Sequence, residues 1–309
     1  MVNPITVCVP ASTSNLGSGF DTLSASLRLY LKVLVKPIEG SSIEWVSGEG
    51  LGTVFPTDNN LIEKALLVTL ELFGVRPPGL MISMENSIPL QRGLGSSGAA
   101  IIAGIKIAES ICEESLGPET VFELAYPLEG HPDNLAASLF GGWALSRVSN
   151  GKMYAEKISS SLSCRFVLAI PEQTVSTFEA RDILPKNYSL PDVVHNLQRC
   201  ALLVHALHSG TESLLREATS DRLHQCYRAS MVPGMEQLLD GKDLSQDVTK
   251  SVLAVFISGS GSAAVALAND HFQEIGQWMV NAFCNQGSKA SYQVLDLDSE
   301  GARVLNDCK

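Results

Sequence analysis

One stretch, Pro89-Leu90-Gln91-Arg92-Gly93-Leu94-Gly95-Ser96-Ser97-Gly98-Ala99-Ala100, joins a glycine-rich turn directly to a helix-forming run, and it constrains the fold more than any other part of the chain. Gly93 and Gly95 can take positive φ and let the backbone close on a ligand. Residues 99–108 follow as a helix whose first amides have no partner within it and attract anions. Ser96 and Ser97 add hydroxyls at that start, so the junction is suited to hold phosphate. Three glycines and two serines within six residues exceed what an ordinary helix cap needs.

Two better-known phosphate loops share part of this spelling, and neither fits its surroundings. Ala99-Ala100 stands where a Walker A loop requires Lys and then Ser or Thr. A dinucleotide fingerprint needs an apolar strand running into its first glycine and a second strand after the helix. Here Pro89 and Gln91-Arg92 intervene, and residues 116–120 turn toward another helix. The protein-kinase set fails too, because the chain contains no His-Arg-Asp or Asp-Phe-Gly.

At 309 residues the chain can build two domains, or one large one, around a substantial core. Its formal charge of -11, from 22 Lys+Arg against 33 Asp+Glu, argues against nucleic acid or an anionic membrane as a general partner. Any phosphate site must therefore be made locally. The seven cysteines are scattered without CxxC spacing, which suits a reducing compartment and indicates neither a disulfide framework nor a zinc site. His205, His208 and His224 lack the carboxylate pattern of a metal site. The N-terminus has no basic leader, and Lys106 breaks the apolar run after Ala99, so a cytoplasmic protein without signal, transit or transmembrane segment is expected.

Strands are expected at residues 5–9, 29–36, 79–84, 165–170 and 252–257. Helices are expected at 61–73, from the phosphate loop to about 126, at 134–140 and at 193–207. Asp58, Asn59 and Asn60 offer caps for the first of these. Residues 10–21 read as a loop of small polar residues between strands, and Ser258-Gly259-Ser260-Gly261 as a turn into a small-residue helix. The irregular alternation favours α+β over a doubly wound sheet. The run Ser159-Ser160-Ser161 places a domain junction near residue 158, dividing the chain into 1–158 and 159–309.

Three separated motifs line up with one family. They are Val9-Pro10-Ala11-Ser12-Thr13-Ser14-Asn15-Leu16-Gly17-Ser18-Gly19-Phe20-Asp21, the loop at 89–100, and Ser258-Gly259-Ser260-Gly261. With Gly130-His131-Pro132-Asp133-Asn134 and Ser176-Thr177-Phe178-Glu179-Ala180-Arg181, the chain resembles the homoserine kinases of the GHMP small-molecule kinase superfamily along nearly its whole length. Gln91 stands where that family usually has glycine, and Ala137-Ser138 where alanine-proline is common.

The resemblance implies a two-domain GHMP kinase fold, with an N-terminal domain like the second domain of ribosomal protein S5, a ferredoxin-like C-terminal domain and the site between them. It implies ATP, magnesium, transfer of the γ-phosphoryl group to the hydroxyl of L-homoserine in threonine biosynthesis, and commonly a homodimer. The loop from Pro89 to Ala99 would hold ATP, with Asn60 near the adenine and Ser97 and Glu123 at the metal. Asn15, Asp21, His131, Asn134, Thr177, Arg181 and Arg228 would surround the amino acid.

The chemistry suits these residue types. Phosphoryl transfer asks mainly for positioning and for stabilised negative charge. Arg181 and Arg228 suit a carboxylate, Asp21 an ammonium, and Asn134 and Asn15 can hydrogen-bond a hydroxyl or phosphate without adding charge. Asn134 is the expected transition-state stabiliser, with Asn15 and Asp21 beside it. No residue is forced as general base, since Asp21 can be occupied by the ammonium and Asp133 can cap the helix after it. A GHMP kinase for another small alcohol, such as mevalonate, and a non-catalytic nucleotide- or amino-acid-binding regulator stay open on the sequence.

Overall fold

In the computed structural model, which describes residues 4–47, 60–241 and 244–306, two sheets share the strands. In chain order these are β1 (Ile5–Ser14), β2 (Leu23–Pro37), β3 (Ile43–Ser47), β4 (Leu80–Asn86), β5 (Trp143–Ser149), β6 (Lys152–Ile158), β7 (Arg165–Pro171), β8 (Val252–Ile257), β9 (Ala264–Ala268), β10 (Ala290–Leu295) and β11 (Arg303–Asn306). The helices are α1 (Leu61–Leu72), α2 (Ser96–Cys112), α3 (Pro118–Glu129), α4 (Asp133–Phe140), α5 (Thr177–Asp182), α6 (Leu190–Ser209), α7 (Leu215–Ala218), α8 (Gln225–Arg228), α9 (Met235–Leu239), α10 (Gln246–Ser251) and α11 (Phe272–Cys284). Of the three candidate caps for α1, Asp58 and Asn59 lie outside the described residues. Asn60 is the cap, its side chain accepting from the amides of Ile62 and Glu63.

The first sheet runs β11-β1-β2-β4-β3, with β5 beside the start of β2 and β6 beside β5. The register between β1 and β2 shifts between Pro10 and Ala11, where a bulge accommodates a residue with no amide to give. Beyond it the strand continues to Ser14, so the polar loop expected from residue 10 begins only at Asn15. Ser12, Thr13 and Ser14 are buried there, and the hydroxyls of Ser12 and Thr13 find side-chain partners, which removes the penalty of taking them out of water.

The second sheet runs β10-β7-β9-β8, antiparallel throughout, with helices in the β7-to-β8 connection and α11 between β9 and β10. This is the ferredoxin-like order. The small-residue run after Gly261 is β9, not a helix: it is an inner strand of the sheet. Ala264, Ala266 and Ala268 face one core and Val265 and Leu267 the other, an alternation of period two. From beyond residue 158, β11 crosses back to pair antiparallel with β1.

Helix α2 fixes the centre. Gly98, Ala99, Ile101, Ile102, Ala103, Gly104, Ile105, Ile107 and Ala108 are all buried, so the helix is apolar around most of its circumference. Gly104 lets α1 approach closely. A Cβ there would strike the carbonyl of Ile62 and sit 2.8 Å from Cβ of Ala65. Gly104→Ala is therefore expected to destabilise the fold by about 1–3 kcal/mol through overpacking. Urea denaturation checks this, and a variant as stable as the parent contradicts the packing.

Candidate active site

A cleft of about 420 Å3 takes walls from both halves of the chain. Its floor is the phosphate loop. Gly93 and Gly95 have φ of +70° and +69°, and side chains there would collide with the carbonyl of Ser258 and the hydroxyl of Ser12 respectively. Gln91 also adopts a left-handed φ, +56°, which accounts for the glycine usual at that place. The hydroxyl of Ser258 donates to the carbonyl of Gly93 at 2.7 Å, and the amide of Ser12 to that of Leu94 at 3.1 Å. The first internal bond of α2 runs from the amide of Ala99 to the carbonyl of Gly95. The amides of Ser96, Ser97 and Gly98 precede it, and Ser96 and Ser97 line the cleft.

Not every residue of the loop faces inward. Arg92 was expected to hold ATP, but its guanidinium donates to the carbonyls of Pro171, Leu90 and Glu172 and ties the loop to β7. Ala99 is fully buried in the core, and it and Gly98 are absent from the cleft wall. Leu31, Leu61, Ile62, Met84 and Pro89 form an apolar end beside Asn60 and Asn86, a slot suited to a flat base. Since Oδ1 of Asn60 caps α1, its amide NH2 is the end left for a ligand.

Glu123 does not reach this cleft. It stands half exposed on α3 and pairs with Nζ of Lys152 at 2.6 Å. The carboxylate at the phosphate loop is Glu129, six residues on, at the end of α3. Its Oε1 accepts from the hydroxyl of Ser97 at 2.7 Å and lies 3.6 Å from Nδ1 of His131. The Glu129 carboxylate beside the ring raises the pKa of His131. No group of three or more His, Cys, Asp or Glu side chains able to hold a metal exists among the described residues. A hydroxyl and one carboxylate at a phosphate site nevertheless fit magnesium, which takes few protein oxygens and completes its shell with water and phosphate.

Asp21, Arg181, Arg228, Asp133, Asn134, Asn15, His131 and Thr177 are brought together at the other end. Arg181 holds Asp21 in a fork, with Nη1 to Oδ2 at 3.0 Å and Nη2 to Oδ1 at 2.7 Å, so the two charges expected to bind separate substrate groups bind each other. Nε of Arg181 is buried without a partner. Arg228 is almost fully buried; its Nε donates to the carbonyl of Ala180 and its Nη1 to that of Gly259. Burial, and then the positive charge of Arg181, push its pKa down to about 10.

Asn15 uses its side chain within the protein: Nδ2 donates to the carbonyl of Gly259, and Oδ1 accepts from the amide of Asp21. Asn134 is differently placed, because Oδ1 accepts from the hydroxyl of Ser12 at 2.8 Å and so commits only the acceptor end of its amide. Asp133 accepts from the amide of Asn134 and also lines the cleft, a position that a helix-capping role did not anticipate. Burial, and then the nearby charge of Asp21, raise its pKa to about 6.

Residues 60–142 match the family model for the GHMP kinases N terminal domain, and residues 203–278 that for the GHMP kinases C terminal. The homoserine kinase of Persephonella marina is 36% identical over 299 residues, spanning 96% of this chain and 97% of that one. A homoserine kinase of Thermus thermophilus is 41% identical over 260 residues, 84% of this chain and 85% of the other. The crystal structure of homoserine kinase from Cytophaga hutchinsonii superposes with a TM-score of 0.88 at 26% identity, covering 99% of this chain and 98% of that one. The chain belongs to the homoserine kinase family of the GHMP kinases.

Ser97→Ala and Glu129→Gln are each expected to weaken magnesium-dependent nucleotide binding about 10- to 100-fold, the worth of a charge-assisted contact. Glu123→Gln is expected to leave it unchanged. Calorimetric titration of ATP with and without magnesium checks both statements.

Proposed function

We propose that this member of the family transfers the γ-phosphoryl group of ATP to the side-chain hydroxyl of L-homoserine, giving O-phospho-L-homoserine and ADP. One observation carries the reading: a helix N-terminus suited to phosphate opens into the same cleft as two arginines and two aspartates. A zwitterion needs both signs of partner once it leaves water. The pathway to threonine and a cytoplasmic setting belong to the same proposal.

In this reading Arg181 and Arg228 take the carboxylate. The buried Nε–H of Arg181, costing about 1–3 kcal/mol while it lacks an acceptor, gains one when substrate arrives. Asp133 and Asp21 receive the ammonium. With its Oδ1 committed to Ser12, Asn134 offers its NH2 to the reacting hydroxyl or to the charge spreading over the γ-phosphoryl oxygens. Asn15 acts by holding the loop that bears Asp21 and does not touch the reacting atoms.

The hydroxyl oxygen forms its bond to the γ-phosphorus as the bond to the bridging β,γ-oxygen breaks. The hydroxyl proton leaves on a phosphoryl oxygen, and no protein base is required. Ser97 and Glu129 would hold magnesium, which supplies charge neutralisation on the phosphates. The catalytic contribution of the chain itself is alignment of hydroxyl and phosphorus. Mevalonate carries a carboxylate without an ammonium and would leave Asp133 without a cationic partner, Asp21 having Arg181.

A coupled ADP-release assay across homoserine, mevalonate and related alcohols tests the reading, and turnover with a non-amino alcohol but not homoserine overturns it. Arg181→Ala is expected to raise the homoserine KM at least about 30-fold, corresponding to ~2 kcal/mol or more for a stripped charge partner. Asp133 also predicts a pH dependence. Its folded pKa of about 6 lies above the ordinary 3.8, so between these values the native state binds more protons than the unfolded one. Stability therefore falls as pH rises through that window, while homoserine binding, which needs the carboxylate, improves. Asp133→Asn should abolish both trends in urea denaturation and in the pH profile of kcat/KM.

A further inference from the structure

His224 lies behind the substrate end of the cleft and is fully buried. Its Nε2 sits 2.8 Å from the carbonyl oxygen of Gly17, an acceptor, so that nitrogen carries the proton. Its Nδ1 lies 3.4 Å from Nη1 of Arg228, a donor, so that nitrogen is bare. The two contacts together select one neutral tautomer. The ring also stacks on Phe20 with centroids 5.0 Å apart, and Phe20 lies under the guanidinium of Arg228 at 5.1 Å.

The nearest carboxylate does not draw a second proton onto the ring. Asp221 lies 3.7 Å from Nε2, but its oxygens already accept from the amides of Leu223, His224 and Gln225 and from Nδ2 of Asn196. Burial and the adjacent Arg228 both oppose the charged imidazole, and its pKa is lowered.

Gly17 belongs to the turn that carries Asn15 and Asp21, and Arg228 to a separate helix over two hundred residues later. Asn15 and Arg228 additionally share the carbonyl of Gly259 as acceptor. From this geometry we infer that His224 is a positioning residue for amino-acid recognition, bridging the carbonyl of Gly17 and the guanidinium of Arg228 so that Asp21 and Arg228 meet the substrate at a preset spacing. The inference rests on the reading of homoserine as substrate. Nucleotide binding, at the far end of the cleft, is outside its reach.

The test is a set of substitutions read as separate KM values for the two substrates. His224→Phe keeps a ring beside Phe20 and loses both hydrogen bonds, so the homoserine KM should rise about 10- to 100-fold, as expected for two lost bonds, while the ATP KM stays within about threefold. His224→Asn can return an acceptor to Arg228, and His224→Gln a donor to Gly17, so each should recover part of the loss. A homoserine KM unchanged in His224→Phe overturns the role. So do parallel losses for both substrates with Asn and Gln no better than Phe.

Nitrogen-15 NMR of the six histidines provides a readout independent of turnover. The expected result is one ring protonated at Nε2 alone at neutral pH and absent from the spectrum of His224→Phe. Protonation of that ring at Nδ1 overturns the assignment. Failure of the wild-type protein to phosphorylate homoserine would instead overturn the functional reading on which the role depends.

Discussion

The first turn of α2 is the constraint around which the rest is arranged. A helix buried on nearly all sides has nowhere to place its N-terminal amides except in an opening, and the cleft is that opening. Its dipole adds positive potential at the same point. Because the turn leading in requires left-handed backbone at Gln91, Gly93 and Gly95, it holds its shape only where neighbours clamp it. Ser12 and Ser258 do so from two other segments, which explains how three motifs far apart in the chain form one site.

The protein as a whole is acidic, and ATP is an anion, so the long-range field works against the ligand. The site answers locally. Arg181 and Arg228 line the cleft into which the helix terminus opens, and each is balanced within the protein: Arg181 by the Asp21 fork, and Arg228 by backbone carbonyls and a neutral imidazole. Balance of this kind lets charges sit in a cleft without the full penalty of desolvation. It also keeps the recognition groups ordered, so less entropy is lost when an amino acid is bound.

The phosphate loop was legible because its chemistry is local: glycines, serines and a helix start are adjacent in sequence. Strands β1, β2, β4, β7 and β8 and helices α1 to α4 and α6 were legible from period and propensity, with ends off by up to six residues, whereas β3, β5, β6, β10, β11 and α11 were not read. What escaped reading depended on the third dimension. Glu123 and Glu129 are both on α3, and only the way the helix lies against α2 decides which carboxylate meets Ser97 and which meets Lys152. Asp133 could be seen as a cap, but not as a buried acid facing the cleft. The alanines of β9 carry helix propensity, and only their place between β7 and β8 makes them a strand. Ser12 to Ser14 looked like loop because the partners that permit their burial, Asn134 and Ser258, are over a hundred residues away.

The return of β11 to the first sheet has a consequence for how the molecule is made. Leu297 bridges to Leu27, Asp298 accepts from Tyr30, and Arg303–Asn306 then pairs with the outer edge of β1. A nascent chain emerging from the ribosome thus exposes that edge of β1 until residues 303–306, about three hundred positions later, have been made. Vectorial synthesis can deliver the phosphate loop long before β11, so closure of the sheet waits for residues 303–306 to be made and freed from the exit tunnel.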